Sequence, residues 1–155
     1  MPTNEIGKYP PPSVSYKSFN RLMNMLQQNL FSRIDLSYLS DKFSVRTGTN
    51  LMSAMRFLNF IDNGNRPTPR LQLLVSDTAK EQHDALLRQV ADEAYAFVFN
   101  GKLDPQTAAY AELEAVFQNI YRTDDDICHK SISFFIEFCK DAGIPLSPEF
   151  SNKQI

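Results

Sequence analysis

The sequence repeats one pattern, a short apolar helix, a polar turn and a longer apolar helix, and this repeat constrains the fold more than any other feature. The first copy spans residues 39–69 and the second spans residues 113–148. Both copies end in a segment that contains glycine and proline, and the second copy has a longer central turn. A repeated supersecondary unit predicts two similar halves that bury their apolar faces together.

The spacing of the apolar residues predicts a mainly α protein. Apolar residues recur every three or four positions in several segments, whereas no segment alternates for long enough to build an extended sheet. We therefore expect two tandem winged-helix or helix-turn-helix-like units packed into one compact protein. The predicted segments are an extended proline-rich arm (1–14), the first winged-helix-like unit (15–76), a connecting helix (77–100), the second helix-turn-helix-like unit (101–150) and a tail (151–155).

Polar residues ahead of the apolar stripes indicate where helices begin. Ser15 and Asp35 are predicted N-caps in the first unit, and Thr78 is predicted to open the connecting helix with a capping box. In the second unit, one helix is predicted to begin within residues 104–107. The last helix is predicted to end at Gly143, and it is apolar on most sides, so we expect it to lie at the centre.

The first unit has two predicted turns. Its central turn is placed at residues 44–48, where Gly48 permits a positive φ. Thr49 or Asn50 then caps the second helix of the unit. Asn63-Gly64 is a tight-turn signal, and the residues on either side of it predict a short hairpin wing.

Charge is distributed unevenly along the chain. The net charge is −2, but residues 1–75 carry nine basic and four acidic groups, a balance of +5. Residues 76–155 carry seven basic and fourteen acidic groups, a balance of −7. A chain of this kind can present a positive face to a polyanion, or it can dock on its own copies or on a charged partner.

Residue types that carry out catalysis or bind metals are sparse. His83 and His129 are the only histidines, and no HxxxH or CxxC spacing accompanies them. Cys128 and Cys139 lie on one predicted helix, too far apart for a disulfide, which indicates core thiols. The acidic run 124–126 favours the start of a helix over a cation site. Because glycine-rich phosphate loops and nucleophile motifs are also missing, we expect a non-enzymatic protein with no catalytic residue, metal or cofactor.

Four segments stand in a fixed order along most of the chain. They are Tyr9-Pro10, residues 54–62, Arg66-Pro67-Thr68-Pro69 and Ala142-Gly143-Ile144-Pro145-Leu146-Ser147. In this combination the chain resembles a prokaryotic family of uncharacterised helical domains, a domain of unknown function. The resemblance implies a helical, prokaryotic, cytoplasmic protein and adds no chemistry. Asn59 stands where the family's pattern has a glycine, and residues 124–126 make the second turn longer than in that pattern.

The first unit is the predicted DNA-binding element. In a helix-turn-helix, the second helix enters the major groove with its N-terminal residues toward the base edges. Asn50 and Arg56 suit adenine and guanine edges, while Arg66 and Arg70 would reach phosphates from the wing. The predicted DNA-binding residues are Arg46, Thr47, Thr49, Asn50, Ser53, Arg56, Arg66 and Arg70.

A protein-interaction role is the alternative. Winged helices also serve as docking or dimerisation modules, and a sequence pI of about 5.7 lacks the basic excess of strong nucleic-acid binders. The protein would then be a homodimer or an accessory subunit of a larger defence or DNA-handling assembly. An exposed patch with Phe or Tyr would favour a protein partner, whereas a positive face formed by Arg46, Arg56, Arg66 and Arg70 would favour double-stranded DNA.

The sequence also predicts where the protein resides. Its longest apolar runs are interrupted by charges well before the length that crosses a bilayer. The first twelve residues lack the apolar core of a signal peptide. We therefore expect a cytoplasmic protein that does not contact a membrane.

Overall fold

The chain is mainly helical, as the apolar spacing predicted. The structure is a computed structural model that describes residues 9–30, 32–76 and 80–153. Within these ranges the helices are α1 (Tyr16–Gln28), α2 (Leu36–Leu39), α3 (Val45–Phe57), α4 (Pro69–Val75), α5 (Lys80–Ala94), α6 (Ala96–Phe99), α7 (Tyr110–Ile120), α8 (Asp125–Ala142) and α9 (Pro148–Lys153). The described residues contain no strand, so the winged-helix assignment stays a prediction.

Helix α8 lies at the centre of the molecule and packs against α1, α5 and α7. Its Phe134 ring contacts the rings of Tyr16 and Phe19 in α1. The next residue, Phe135, contacts the ring of Tyr95 between α5 and α6. Because successive residues of a helix point about 100° apart, the two rings face different neighbours. Helix α8 therefore joins α1 to the segment between α5 and α6, and its predicted central position is confirmed.

Several predicted helix ends are confirmed by their hydrogen bonds. The side chains of Ser15, Asp35 and Asp124 each accept a bond from the backbone N–H three residues later, at 3.1, 3.1 and 2.8 Å. Asp124 therefore caps α8, as the helix-start interpretation of the acidic run predicted. Gly143 ends α8 with a left-handed φ of 76°. The predicted cap at Thr78 lies outside the described residues, as do residues 1–8 of the arm and the end of the tail at 154–155.

The predicted turn of the first unit is wrong by several residues. Ser44 rather than Thr49 or Asn50 caps α3, and its Oγ accepts a bond from the backbone N–H of Thr47 at 3.2 Å. Gly48 consequently lies inside the helix with no positive φ. A Cβ at Gly48 would lie 3.6 Å from α2 side-chain atoms, an ordinary van der Waals distance, so the packing of α2 on α3 leaves room for alanine there.

Two predicted helices of the second half are also corrected. The connecting helix is divided at Tyr95, whose backbone leaves the helical conformation (φ −107°, ψ 33°) while its ring is fully buried. Helix α7 begins at Tyr110 rather than within residues 104–107. The carbonyl of Asp104 accepts hydrogen bonds from the backbone N–H groups of Thr107 and Ala108, and its carboxylate accepts one from Gln106. These bonds form a separate turn that ends before α7 starts. Glu112 then accepts a bond from the backbone N–H of Ala109 at 2.9 Å.

The predicted wing is a hairpin-like turn with a single antiparallel bridge, between Ile61 and Pro67. The left-handed residue of the turn is Asn65 (φ 64°) rather than Gly64. A second left-handed residue, Asn59 (φ 62°), connects the end of α3 to the turn. Asn59 is exposed, and asparagine tolerates this conformation better than other residues with a Cβ. Glycine would adopt the same conformation freely.

The left-handed conformation of Asn59 predicts how substitutions there change stability. Asn59→Gly should leave the free energy of unfolding unchanged or raise it slightly, whereas Asn59→Ala should lower it by about 1 kcal/mol. Urea denaturation followed by circular dichroism measures both changes. An Asn59→Ala protein as stable as the wild type would contradict the left-handed assignment.

The hydroxyl group of Tyr95 predicts a second stability effect. This oxygen is buried and has no hydrogen-bond partner among the described residues. An unsatisfied buried hydroxyl costs about 1–3 kcal/mol, so Tyr95→Phe should raise the midpoint of thermal unfolding. Tyr95→Leu is the matched control, because it removes ring contacts with Phe57 and Phe135 and should lower the midpoint. A destabilised Tyr95→Phe protein would show that the hydroxyl is bonded in solution.

Candidate nucleic-acid interface

Helix α3 carries most of the predicted site residues, and the structure divides them between two clefts. The α3–α8 cleft, of about 540 Å³, has α8 as its far wall. The α3 residues lining it are Arg46, Thr47 and Asn50. The α2–α3 groove, of about 450 Å³, is bounded on its other side by α2 and Tyr9. The predicted residues lining it are Thr49, Ser53 and Arg56.

The proline-rich arm covers the middle of α3. Residues 10–13 share a cavity of about 250 Å³ with Asn50 and Ser53 and with side chains of α7 and α8. Pro11 and Pro12 are buried there. The described part of the arm, residues 9–14, contains no helix, and residues 10–13 lie against α3, α7 and α8. Asn50 and Ser53, each half-buried, are therefore not on an open surface.

Two of the predicted arginines hold the turn after α3. The guanidinium of Arg56 donates a hydrogen bond to the side-chain oxygen of Asn65. Arg66 donates from Nε to the carboxylate of Asp62 at 3.1 Å. The backbone N–H of Arg66 also bonds that carboxylate and lowers the pKa of Asp62. The partner of each of these two arginines lies within ten residues of it in the sequence.

Arg70 connects α4 to α5. Its guanidinium forms an ion pair with Glu93 and also donates to the backbone oxygen of Leu58 at 3.4 Å. The hydrogen bond from Arg70 lowers the pKa of Glu93. The Arg70 side chain is only 17% exposed, so little of it faces solvent. The positive face predicted from Arg46, Arg56, Arg66 and Arg70 thus has one member, Arg46, without a polar side-chain partner among the described residues.

Four exposed cations stand on α1, in the turn before α3 and in the first turn of α3. We call this set the basic face, and it consists of Lys17, Arg21, Lys42 and Arg46. The guanidinium of Arg21 lies 5.0 Å from the centre of the Phe43 ring, which brings α1 next to the residues that precede α3. Lys42 adjoins Phe43 in the chain, and Arg46 lies in the first turn of α3, after the Ser44 cap. Lys17 lies one turn before Arg21 on α1.

The cations of the basic face keep their charge because no nearby carboxylate pairs with them in the described part of the chain. The Asp141 carboxylate, beside Lys17, accepts a hydrogen bond from the Tyr16 hydroxyl at 2.6 Å. Helices α1 and α3 contain no acidic residue. All four cations are exposed, and none forms an ion pair within the described part of the chain. The exposed Asp41 lies beside Lys42. On the far wall of the α3–α8 cleft, Asp126 is paired with Lys130 at 3.1 Å, whereas Glu137 has only a 3.9 Å contact with Lys140.

The sequence analysis missed Lys17, Arg21 and Lys42. A signal was present, since the two cations on α1 stand four residues apart in a helix without acids. Their association with Arg46 is not readable from the sequence, because it depends on the contact between Arg21 and Phe43. The structure therefore moves the positive surface away from the wing and toward α1.

Both histidines of the second half lie next to carboxylates. His129 of α8 forms a 2.7 Å contact with Glu114 of α7, and His83 contacts Asp84 at 3.5 Å. In the described ranges, no group of three or more histidine, cysteine or acidic side chains is arranged to hold a metal ion. No helix in these ranges has the length and apolarity to cross a bilayer.

The two thiols lie in the core. Cys128 and Cys139 are both buried, and burial raises the pKa of each thiol. Little reactive thiolate is therefore present at neutral pH. We predict that iodoacetamide labels neither thiol in the folded protein and labels both after denaturation, as measured by mass spectrometry. Rapid labelling of the native protein at either cysteine would contradict the buried positions.

The role of this interface follows from its own residues and not from similarity to known proteins. No family model, curated protein or solved structure matches this chain. What the geometry offers is an exposed group of cations beside a recessed helix, in a half of the chain whose net charge is positive.

Proposed function

We propose that this protein binds double-stranded DNA through the basic face. The observation that carries the proposal is the set of four exposed cations from α1, the turn before α3 and α3 itself. They have no carboxylate partner in the described ranges, so their charge remains available to an anionic ligand. Of the residues predicted from sequence, only Arg46 belongs to the basic face and keeps its proposed role.

The charge of the second half supports the same proposal. Residues 76–155 carry a balance of −7, which repels a polyanion. The first half would therefore turn toward DNA and the second half away from it. Lysine and arginine side chains that contact phosphates release condensed counterions, and this release drives association at moderate salt. A net charge of −2 does not prevent such binding, because the two signs of charge lie in different halves.

A protein partner, including a second copy of the chain, is the second candidate. Its supporting observation is the exposure of Val45 (78%) and Leu36 (47%) near the N-terminus of α3. Leu36 approaches the backbone at Gly48, so these apolar groups are close to one another. Among the described residues, the large exposed apolar side chains include no Phe or Tyr, the residues that would most strongly indicate a protein interface.

The proposal predicts a specific loss of DNA binding. Binding of the full chain to a fluorescein-labelled duplex should be measured by anisotropy at low salt. Lys17→Glu/Arg46→Glu should weaken binding at least tenfold, because two phosphate contacts are replaced by repulsion. Circular dichroism checks that the variant remains folded.

The matched control is Lys102→Glu/Arg122→Glu, which changes the net charge equally on exposed residues of the second half. It should bind DNA within about threefold of the wild type, since these residues lie outside the basic face. Equal losses in both variants would show that only net charge matters. Absence of wild-type binding at low salt would reject DNA as the ligand and leave the protein partner, which light scattering and co-purification would then address.

A further inference from the structure

We infer that this protein holds the phosphate backbone of DNA without reading its base sequence. The inference rests on the proposed function and adds the kind of recognition involved. In helix-turn-helix proteins, phosphate contacts position the protein, while contacts to base edges supply specificity. Here the groups available for phosphates are exposed, and the groups suited to base edges are enclosed.

The shape around α3 prevents it from acting as a reading helix. The major groove is about 12 Å wide and 8.5 Å deep, so a helix must protrude from the protein to reach the base edges. Helix α3 is flanked on one side by α8 across the α3–α8 cleft. On its other side are α2 and Tyr9 across the α2–α3 groove. A duplex approaching α3 therefore meets these flanking walls first.

The individual base-reading candidates are also poorly placed to meet a base. Asn50 and Ser53 are half-buried and line a cavity that residues 10–13 of the arm share. Arg56, the candidate for a guanine edge, donates a hydrogen bond to Asn65 and would have to leave it before it met a base. By contrast, the cations of the basic face have no polar side-chain partner to leave in the described ranges.

Charge inside the α3–α8 cleft opposes deeper entry of a nucleic-acid strand. Asp126 and Glu137 of α8 line the cleft opposite Arg46. Lys130 partly neutralises Asp126, but the carboxylate of Glu137 is 47% exposed. A phosphate entering the cleft would approach these carboxylates and be repelled. The duplex would therefore rest on the rim formed by the basic face.

The number of cations gives a quantitative expectation. Each phosphate neutralised on B-DNA contributes about −0.9 to the slope of log Kobs against log salt. If all four cations of the basic face contact phosphates, the slope is about −3.6. Specific DNA-binding proteins prefer their sites by factors of about 10³ or more, whereas phosphate contacts alone give no such preference.

The test is a selection experiment with the full chain. A pool of duplexes with a randomised centre is incubated with wild-type protein, and the bound fraction is sequenced over successive rounds. The anisotropy titration is repeated across a salt series with the unselected pool. We expect no enriched motif, a slope near −3.6, and the same affinity for Asn50→Ala as for the wild type within about threefold.

The outcomes separate this inference from the proposed function. An enriched motif would overturn the inference while leaving DNA binding intact, and loss of that motif in Asn50→Ala would assign base reading to α3. A slope shallower than about −1 would also overturn it, because phosphate contacts would then not carry the affinity. Failure to bind any duplex at low salt would instead reject the proposed function itself.

Discussion

The burial of α8 between two groups of aromatic rings determines the rest of the structure. Phe134 packs on the rings of Tyr16 and Phe19, while Phe135 packs on Tyr95 and Phe117. Buried aromatic side chains contribute large apolar areas and favour tilted or edge-on ring pairs, so these contacts hold the two halves together. The position of α8 beside α3 follows from this packing. Helix α8 thus forms the far wall of the cleft that α3 lines.

The arginines of the first half illustrate how local partners decide the use of a charge. Arg56, Arg66 and Arg70 each lie near an acceptor that the fold brings into hydrogen-bond range. Arg70 is mostly buried, and leaving its guanidinium without Glu93 would be costly, whereas the exposed Arg66–Asp62 pair contributes little to stability. The cations of the basic face lack such partners in the described ranges. Their availability, more than the number of basic residues, distinguishes the candidate interface.

The agreement between sequence and structure depends on the range of the interactions involved. Ser15, Asp35 and Gly143 were predicted correctly because helix caps use hydrogen bonds over three or four residues. The turn of the first unit was misplaced because Gly48 was interpreted by its own conformational freedom. In the structure, Ser44 caps α3 by accepting a bond from the backbone N–H of Thr47, and Gly48 lies inside the helix. The division of the connecting helix at Tyr95 depends on contacts that no local pattern reveals, since that ring is buried among rings from distant segments.

The sequence alone determined the mainly α class, the central position of the last long helix, and the separation of positive from negative charge along the chain. These properties depend on the spacing of apolar residues, which is a local feature, and on composition, which adds up along the chain. Only the tertiary structure decided which cations share a surface and which side of α3 is open. The arm over Asn50 and Ser53 and the contact of Arg21 with Phe43 join segments far apart in the chain. Such contacts are selected by packing of the whole molecule, and no short stretch of sequence specifies them.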